Sequence, residues 1–256
     1  MNPIQIARHA ILGWVPFGQR HCVVCDHSVW GFLPYAGGSK RIPPLLRSLH
    51  VVGSDVDNFK CPRCGAHDRE RHLLMYLRAS GLLEWMRGKA VVHFAPELRL
   101  SRIIAAGNPG SYVRCDLYPS RADIRRVDML SMEFASGTFD LLMANHVLEH
   151  VADDFGALRE VARVLRPGGF AILQTPYCTK LRRTWSDAGI TDDAARLQAY
   201  GQADHVRLFG SDIFERIASA GLESRVQHHA QLLSDVDAST EGVNEEEPFF
   251  LFRKPE

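Results

Sequence analysis

Four of the six cysteines stand in two pairs, Cys22-Val-Val-Cys25 and Cys61-Pro-Arg-Cys64-Gly65. Two residues between cysteines let one tight turn aim both sulfurs at a single ion. Two such turns complete a tetrahedral thiolate shell for Zn2+. Gly65 suits the second turn. Four thiolates fill the shell, so Cys22, Cys25, Cys61 and Cys64 are expected to hold a structural zinc with no open position. A pair of redox-active CxxC motifs is the competing chemistry. His21, His27 and His67 flank the pairs and are expected beside the shell, not in it. The gap between the pairs, residues 26–60, reads as one insertion. AGGSK and RIPPLL, residues 36–46, are its loop punctuation.

Other residues able to do chemistry fall where apolar runs end. Ala90–Phe94 reads as a buried strand, Leu98–Ala106 as a helix, Tyr112–Leu117 as a second strand and Arg126–Leu130 as a short third. Phe139–Ala144 is a fourth strand, and Asp154–Leu165 is a helix ended by Arg166-Pro-Gly-Gly. Phe170–Gln174 is a fifth strand. Ser211–Ala220 is a helix with Ser211 as N-cap, and Arg225–His229 and Phe249–Arg253 are late strands able to pair at the sheet edge. Strand–helix alternation with fully apolar strands predicts an α/β fold with a parallel sheet covered on both faces. Ligands in such sheets bind outside the carboxyl ends of the strands. The polar residues there are His93 to Glu97, Asp116, Asp128, Asn145, His146 and Thr175 to Tyr177. Ahead of the sheet, residues 67–88 read as an amphipathic connecting helix that Gly81 interrupts and Gly88 stops. Arg69, Arg71 and Arg78 are expected on its solvated face.

The run FDLLMANHVLEHV (139–151), followed by LREVARVLRPGGF (158–170), resembles the class I S-adenosylmethionine-dependent methyltransferases. It is closest to their small-molecule-type domain with the HVLEH motif. DHVRLFG (204–210) and the last strand fit the same pattern. The resemblance covers roughly residues 89–256 and implies a Rossmann-like seven-stranded sheet whose last strand is antiparallel. It also implies two units: a zinc-binding region with its connecting helix (1–88) and a methyltransferase domain (89–256). By position it implies that Asp116, with Leu117, binds the ribose of S-adenosylmethionine. Asp128 and Met129 then meet the adenine, and Asn145 and His146 line the cofactor near its sulfur. Asp116 and Asp128 have a second reading as turn formers.

One departure concerns the first loop. The family's acidic, glycine-rich loop is here His93-Phe94-Ala95-Pro96-Glu97, without glycine. Glycine permits positive φ and close backbone approach, whereas Pro96 fixes φ and removes a donor. Phe94, Ala95, Pro96 and Glu97 are still expected at the cofactor, with Glu97 offering its carboxylate to the methionine ammonium. The implied reaction transfers a methyl group to a small-molecule or glycan-type acceptor. His146, Glu149 and Tyr177 are the candidate bases, and His205, before a later helix, ranks below them. The segment 178–202, with Arg182, Arg183 and Trp185, is either a cover for the acceptor or a surface helix pair. Two other functions compete: an RNA or protein methyltransferase that uses the zinc region for recognition, and a non-catalytic binding protein.

Composition bounds these readings. The 256 residues are 46% hydrophobic and 23% charged, as in ordinary globular proteins. No apolar run approaches the roughly 18 residues of a membrane span. The first 20 residues do not read as an export signal, so a cytoplasmic, thiol-reducing location is expected. The formal net charge is zero. It is a cancellation: residues 1–89 hold 12 basic and 6 acidic residues, and residues 90–256 hold 18 and 24. A uniformly basic nucleic-acid coat is thereby disfavoured. RNA at the basic zinc region stays open, and docking of the two oppositely charged parts is the simplest expectation.

Overall fold

The computed structural model describes residues 3–15 and 17–256. Of the stretch read for an export signal, Met1, Asn2 and Pro16 lie outside the described residues. Among the described residues, no helix is long and apolar enough to cross a membrane.

Helix α1 (Pro3–Trp14) leads into an antiparallel pair, β1 (Arg20–Cys22) and β2 (His27–Val29), which brackets the first cysteine turn. Helix α2 (Pro44–Leu49) and β3 (Val51–Val52) follow. Part of the expected RIPPLL loop is thus helical. Pro44 opens α2, where a missing N–H and a fixed φ suit the first turn.

Helix α3 (Asp68–Ala79) and α4 (Leu82–Trp85) are separated at Gly81, which adopts a left-handed φ of 73°. The expected solvated face is corrected here. Every residue from Glu70 to Leu77 is buried, Arg71 completely; only Arg78 of the three arginines is exposed. A helix buried all round is a core element, not a linker. One side of α3 packs on the sheet through Leu73, Leu74 and Leu77. The other side is wrapped by residues 238–247, which no helical pattern in α3 could announce.

The sheet is built from β4 (Ala90–Phe94), β5 (Ser111–Asp116), β6 (Arg125–Arg126), β7 (Phe139–Ala144), β8 (Leu165–Ile172), β10 (Glu223–Ser224) and β11 (Leu251–Arg253). Between β8 and β10, β9 (Tyr177–Cys178) belongs to a separate small pair. Helices α5 (Leu98–Ala106), α6 (Asp154–Val164), α7 (Asp193–Tyr200), α8 (Ile213–Ala218), α9 (His229–Leu232) and α10 (Ala238–Glu241) complete the chain. The strand order is β10-β11-β8-β7-β4-β5-β6, and β11 runs antiparallel to both neighbours. This is the seven-stranded, mostly parallel α/β sheet expected from the resemblance. Successive strand residues point to opposite faces. Val91, Leu141 and Ile172 join one core with α3, while Val92, Leu142 and Ala171 join the other with α6 and α8.

Four local expectations fail. One is the late strand at residues 225–229: the strand there is β10 at Glu223–Ser224, Gln227 makes only an isolated bridge to Phe249, and His229 already begins α9. Arg166-Pro167-Gly168-Gly169 does not end a helix before a strand; it lies inside β8, which starts at Leu165. The register shifts between Phe139 and Leu141, and Gly168 sits at φ 75°. The glycines build a bulge. Strand β6 is cut to two residues, so Val127 to Leu130 run on as loop. The cap of α8 is Asp212, not Ser211.

The two parts of the chain are interlocked. Strand β3 pairs with β9, Val51 opposite Cys178 and Val52 opposite Tyr177. Leu46, Cys178, Ala199, Tyr200 and Leu208 form a small core above this pair. The insertion between the cysteine pairs therefore packs on the insert after the fifth sheet strand, over the carboxyl end of the sheet.

Asp68, at the start of α3, supplies a stability test. Its Oδ2 accepts the Asp55 N–H at 2.5 Å, and its Oδ1 is buried without a hydrogen-bond partner. Burial and the Glu247 carboxylate push its carboxyl up to about 7 from 3.8. A raised carboxyl contributes stability that is present below its unfolded value and lost as pH climbs through its folded value. Asp68→Asn cannot ionise. Its stability relative to the parent is expected to grow from pH 4 to pH 7 and level off above. A pH-independent difference in urea midpoints would contradict this.

Candidate functional site

The first loop solves its lack of glycine with an alanine. Ala95 adopts φ 47°, and its N–H donates to Cys115 O at 2.8 Å. Left-handed geometry in a non-glycine residue costs about 1–2 kcal/mol, so the surroundings enforce this turn. Phe94 and Pro96 are buried and Ala95 is exposed. Glu97 then opens α5. Its Oε1 accepts from Asn145 Nδ2 at 2.6 Å, and its Oε2 lies 3.2 Å from His93 Nε2. His93 Nδ1 in turn meets the Tyr112 hydroxyl at 2.8 Å. Burial pushes the Glu97 carboxyl up, but His93 outweighs this and holds it below the usual range. Asn145 Oδ1 is left buried with no hydrogen-bond partner. A buried amide oxygen of this kind calls for a donor, such as an ammonium group.

Asp116 ends β5 half-buried, beside exposed Leu117. Asp128 is exposed next to buried Met129. Asp116 Oδ1 accepts the Tyr118 N–H at 2.8 Å, and Asp128 Oδ1 accepts the Leu130 N–H at 2.9 Å. The turn-forming role is therefore present at both. It engages Oδ1 of each.

Beyond the strand ends lies a cavity of about 360 Å³. Tyr35, Arg41, Phe59 and Arg69 form one wall and Leu197, Tyr200, His205 and Arg207 another, with His146 and Glu149 between them. The segment 178–202 thus contributes a wall through α7; Arg182 and Arg183 stay exposed. His146 has φ 55° and is buried. Its Nδ1 is 3.3 Å from Glu149 Oε1 and its Nε2 is 3.6 Å from Glu247 Oε1. Burial and Arg69 push its imidazole down, and the two carboxylates more than reverse this, to about 9. Burial pushes Glu149 and Glu247 up, and His146 draws both down, to about 2. The two carboxylates thus favour the protonated imidazole of His146.

Tyr177 does not line the cavity. It packs edge-on against Phe214 and Phe250, and burial raises its phenol. His205, ranked low by its place in the chain, does line it. Sequence reasoning also missed Tyr35, Phe59, Arg69 and Glu247. Glu247 stands in an acidic run that looks like a solvated loop, and no local signal marks it otherwise.

The four cysteines converge. Their sulfurs all lie within 4.8 Å of one another, and Cys22 Sγ to Cys64 Sγ is 3.8 Å. A Zn–S bond of about 2.3 Å in a tetrahedron gives an edge of about 3.8 Å. The turns match the purpose: Asp26 N–H donates to Cys22 O at 2.7 Å, and Gly65 N–H donates to Cys61 O at 2.9 Å. The Ala66 N–H points at Cys64 Sγ, 3.4 Å away. His21 binds Asp26 and Glu241, His27 contacts Cys25 O, and His67 stacks on Phe59. Cys115 and Cys178 lie apart in the cores.

Residues 105–173 match the family model described as "Methyltransferase domain". An uncharacterised methyltransferase from Mycobacterium sp. (strain JLS) is 42% identical over 48 residues, 19% of each chain. The chain thus aligns with about a fifth of that curated relative. Among solved structures, a 1,6-didemethyltoxoflavin-N1-methyltransferase from Burkholderia thailandensis aligns with a TM-score of 0.49 at 16% identity, over 71% of this chain and 79% of that one. An S-adenosylmethionine-dependent methyltransferase from Mesorhizobium loti aligns with a TM-score of 0.47 at 17% identity, over 70% and 95%.

Proposed function

We propose that the chain is an S-adenosylmethionine-dependent methyltransferase acting on a small-molecule acceptor, with structural Zn2+ at the four cysteines. One observation carries the reading. The methyltransferase match, residues 105–173, runs from the end of α5 through β8 and includes Asp116, Asp128, Asn145 and His146, which end or follow β5, β6 and β7 at one end of the sheet. S-Adenosylmethionine supplies an electrophilic methyl group. The residues present fit it. Asp116 with Leu117 would hold the ribose, Asp128 and Met129 the adenine, and the Phe94–Glu97 turn with Asn145 Oδ1 the amino-acid end. His146 and Glu149 border the cavity, which would take the acceptor. Its volume is within the range of small-molecule sites, about 300–1,000 Å³. What this chain contributes is alignment of donor and acceptor, which alone lowers the barrier by several kcal/mol.

The walls favour a small acceptor over an RNA strand. Three of the twelve basic residues of the N-terminal part are engaged within the protein, whereas Arg8, Arg41, Arg47, Lys60, Arg78 and Arg87 are exposed. Arg71 is enclosed, Arg69 lines the cavity, and Arg63 lies over Trp14 and binds Gly13 O. A glycan-type acceptor of matching size remains within the proposal.

Titration calorimetry with S-adenosylmethionine and zinc-loaded protein tests the reading. Asp116→Ala is expected to weaken binding about 10- to 100-fold, the worth of a charged hydrogen bond at about 1.5–3 kcal/mol. Absence of binding by the parent protein would sink the enzyme reading and leave a binding protein. Salt-dependent RNA binding would overturn the small-acceptor reading.

A further inference from the structure

Glu149, His150 and His205 each bring one ligand atom to within 4.8 Å of the others. Glu149 and His150 sit on the 3-10 turn after β7, and His205 on the loop after α7. The two rings stand edge-on, with centroids 4.8 Å apart. Both imidazoles are already oriented through Nδ1. That of His205 lies 3.0 Å from Tyr200 O, and that of His150 lies 3.3 Å from both the carboxylate and the carbonyl of Asp204. A carbonyl only accepts, so His205 keeps its proton on Nδ1 and turns the Nε2 lone pair outward. That Nε2 is buried without a hydrogen-bond partner, on a residue only 4% exposed. Thr175 Oγ1 donates to Glu149 Oε2 at 2.9 Å, which orients the carboxylate. Outer partners of this type, a carbonyl or carboxylate behind each imidazole and a donor behind the carboxylate, are what metal-binding side chains require.

We propose that Glu149, His150 and His205 form a second metal site, separate from the four cysteines, for a divalent transition ion of the zinc class. Two imidazoles and one carboxylate leave open positions, as in sites where the metal meets a substrate. Glu149 and His205 also line the cavity, so those positions face it. Two cationic side chains stand beside the cluster without filling it: His146 Nδ1 lies 3.3 Å from Glu149 Oε1, and Arg207 is engaged elsewhere. Its guanidinium binds the carbonyls of Leu148, Val151 and Ala152 and pairs with Asp154 at 3.5 Å. The ion would accept an oxygen donor of the bound molecule, a hydroxyl or a carboxylate. Only that last point rests on the cavity being the acceptor site.

The test counts metal in the full-length protein, equilibrated with Co2+ or Zn2+ and then freed of excess ion. Two equivalents are expected. With Co2+, one gives the intense sulfur charge-transfer absorption of a thiolate site and the other gives only weak visible bands. His205→Ala and the more exposed His150→Ala should each lose the second equivalent and its bands while keeping the thiolate signal, which also reports that the variant is folded. A single thiolate-bound equivalent in the parent protein overturns the proposal. So does a second equivalent that survives both substitutions. Cofactor binding is measured separately, so a metal site without methyl-donor binding would count against the proposed function alone.

Discussion

Stripping metal from the four-cysteine cluster is expected to unfold the N-terminal third of the chain and lower the melting temperature by more than about 10 °C. The size follows from comparison of magnitudes. A structural zinc site contributes on the order of 10 kcal/mol, while a whole domain is stable by about 5–15 kcal/mol. The site joins β1 and the turn at residues 61–65, and α3 begins three residues later. Loss of the metal therefore releases a core helix. A strong chelator in a melting experiment, with thiol titration in parallel, reads both effects. Before chelation, Cys22, Cys25, Cys61 and Cys64 should resist modification, and Cys115 and Cys178 should react only on unfolding. Afterwards, the four should react at once. Oxidised pairs in purified, metal-free protein with an unchanged melt would favour redox chemistry instead.

The parts legible in the sequence are those with local causes. The apolar runs 90–94 and 139–144 and the stops around residues 107–110 mark β4, β7 and α5 to the residue. The cysteine spacing is equally local. Arg166-Pro-Gly-Gly misled because proline and glycine signal an interruption without saying whether it is a loop or a bulge. Here Phe139 O and Asp140 O on the neighbouring strand approach within 3.4 Å of where a Gly169 side chain would begin, which holds the segment in the sheet.

The cavity was illegible for a different reason. Its walls come from residues 35–59 and 197–209, which are brought together by the β3–β9 pair and the small core of Leu46, Tyr200 and Leu208. A two-residue strand pair has no periodicity to detect. Position in the chain likewise demoted His205, although the backbone N–H of Val206 bonds Glu149 O at 3.0 Å and pins that loop beside the HVLEH turn. Tyr177 had the opposite fate. It follows a strand end, but its pairing partner β3 and the rings of Phe214 and Phe250 turn it into the core.

Arg71→Met is expected to destabilise the protein by about 4 kcal/mol or more, against about 0.5 kcal/mol for a solvated helix arginine. Five carbonyls depend on this guanidinium. Nε donates to Glu241 O at 2.8 Å, Nη1 to Phe59 O and Ala66 O, and Nη2 to Asn58 O and Gly242 O. Its planar face lies 3.8 Å from the Phe32 ring centre. Methionine fills much of the volume and removes a donor from all five acceptors, of which Ala66 O keeps the Cys61 N–H at 2.8 Å. A simple sum of their desolvation costs would exceed the stability of most domains, so water entry or partial opening of residues 238–247 must limit the loss. Arg71→Lys restores charge but not the fork, and should recover less than half. The charge itself has a counterpart: Cys22, Cys61, Asp68 and Asp55 all favour the cationic form that burial opposes. Four thiolates around the proposed Zn2+ would carry a net −2, so a metal centre there and Arg71 would offset one another in the same low-dielectric space. Urea midpoints of the two variants, each with and without chelator, separate the contributions. A methionine variant within about 1 kcal/mol of the parent would show that water already serves these carbonyls. Additive losses on chelation and substitution would show that the metal and the arginine act independently.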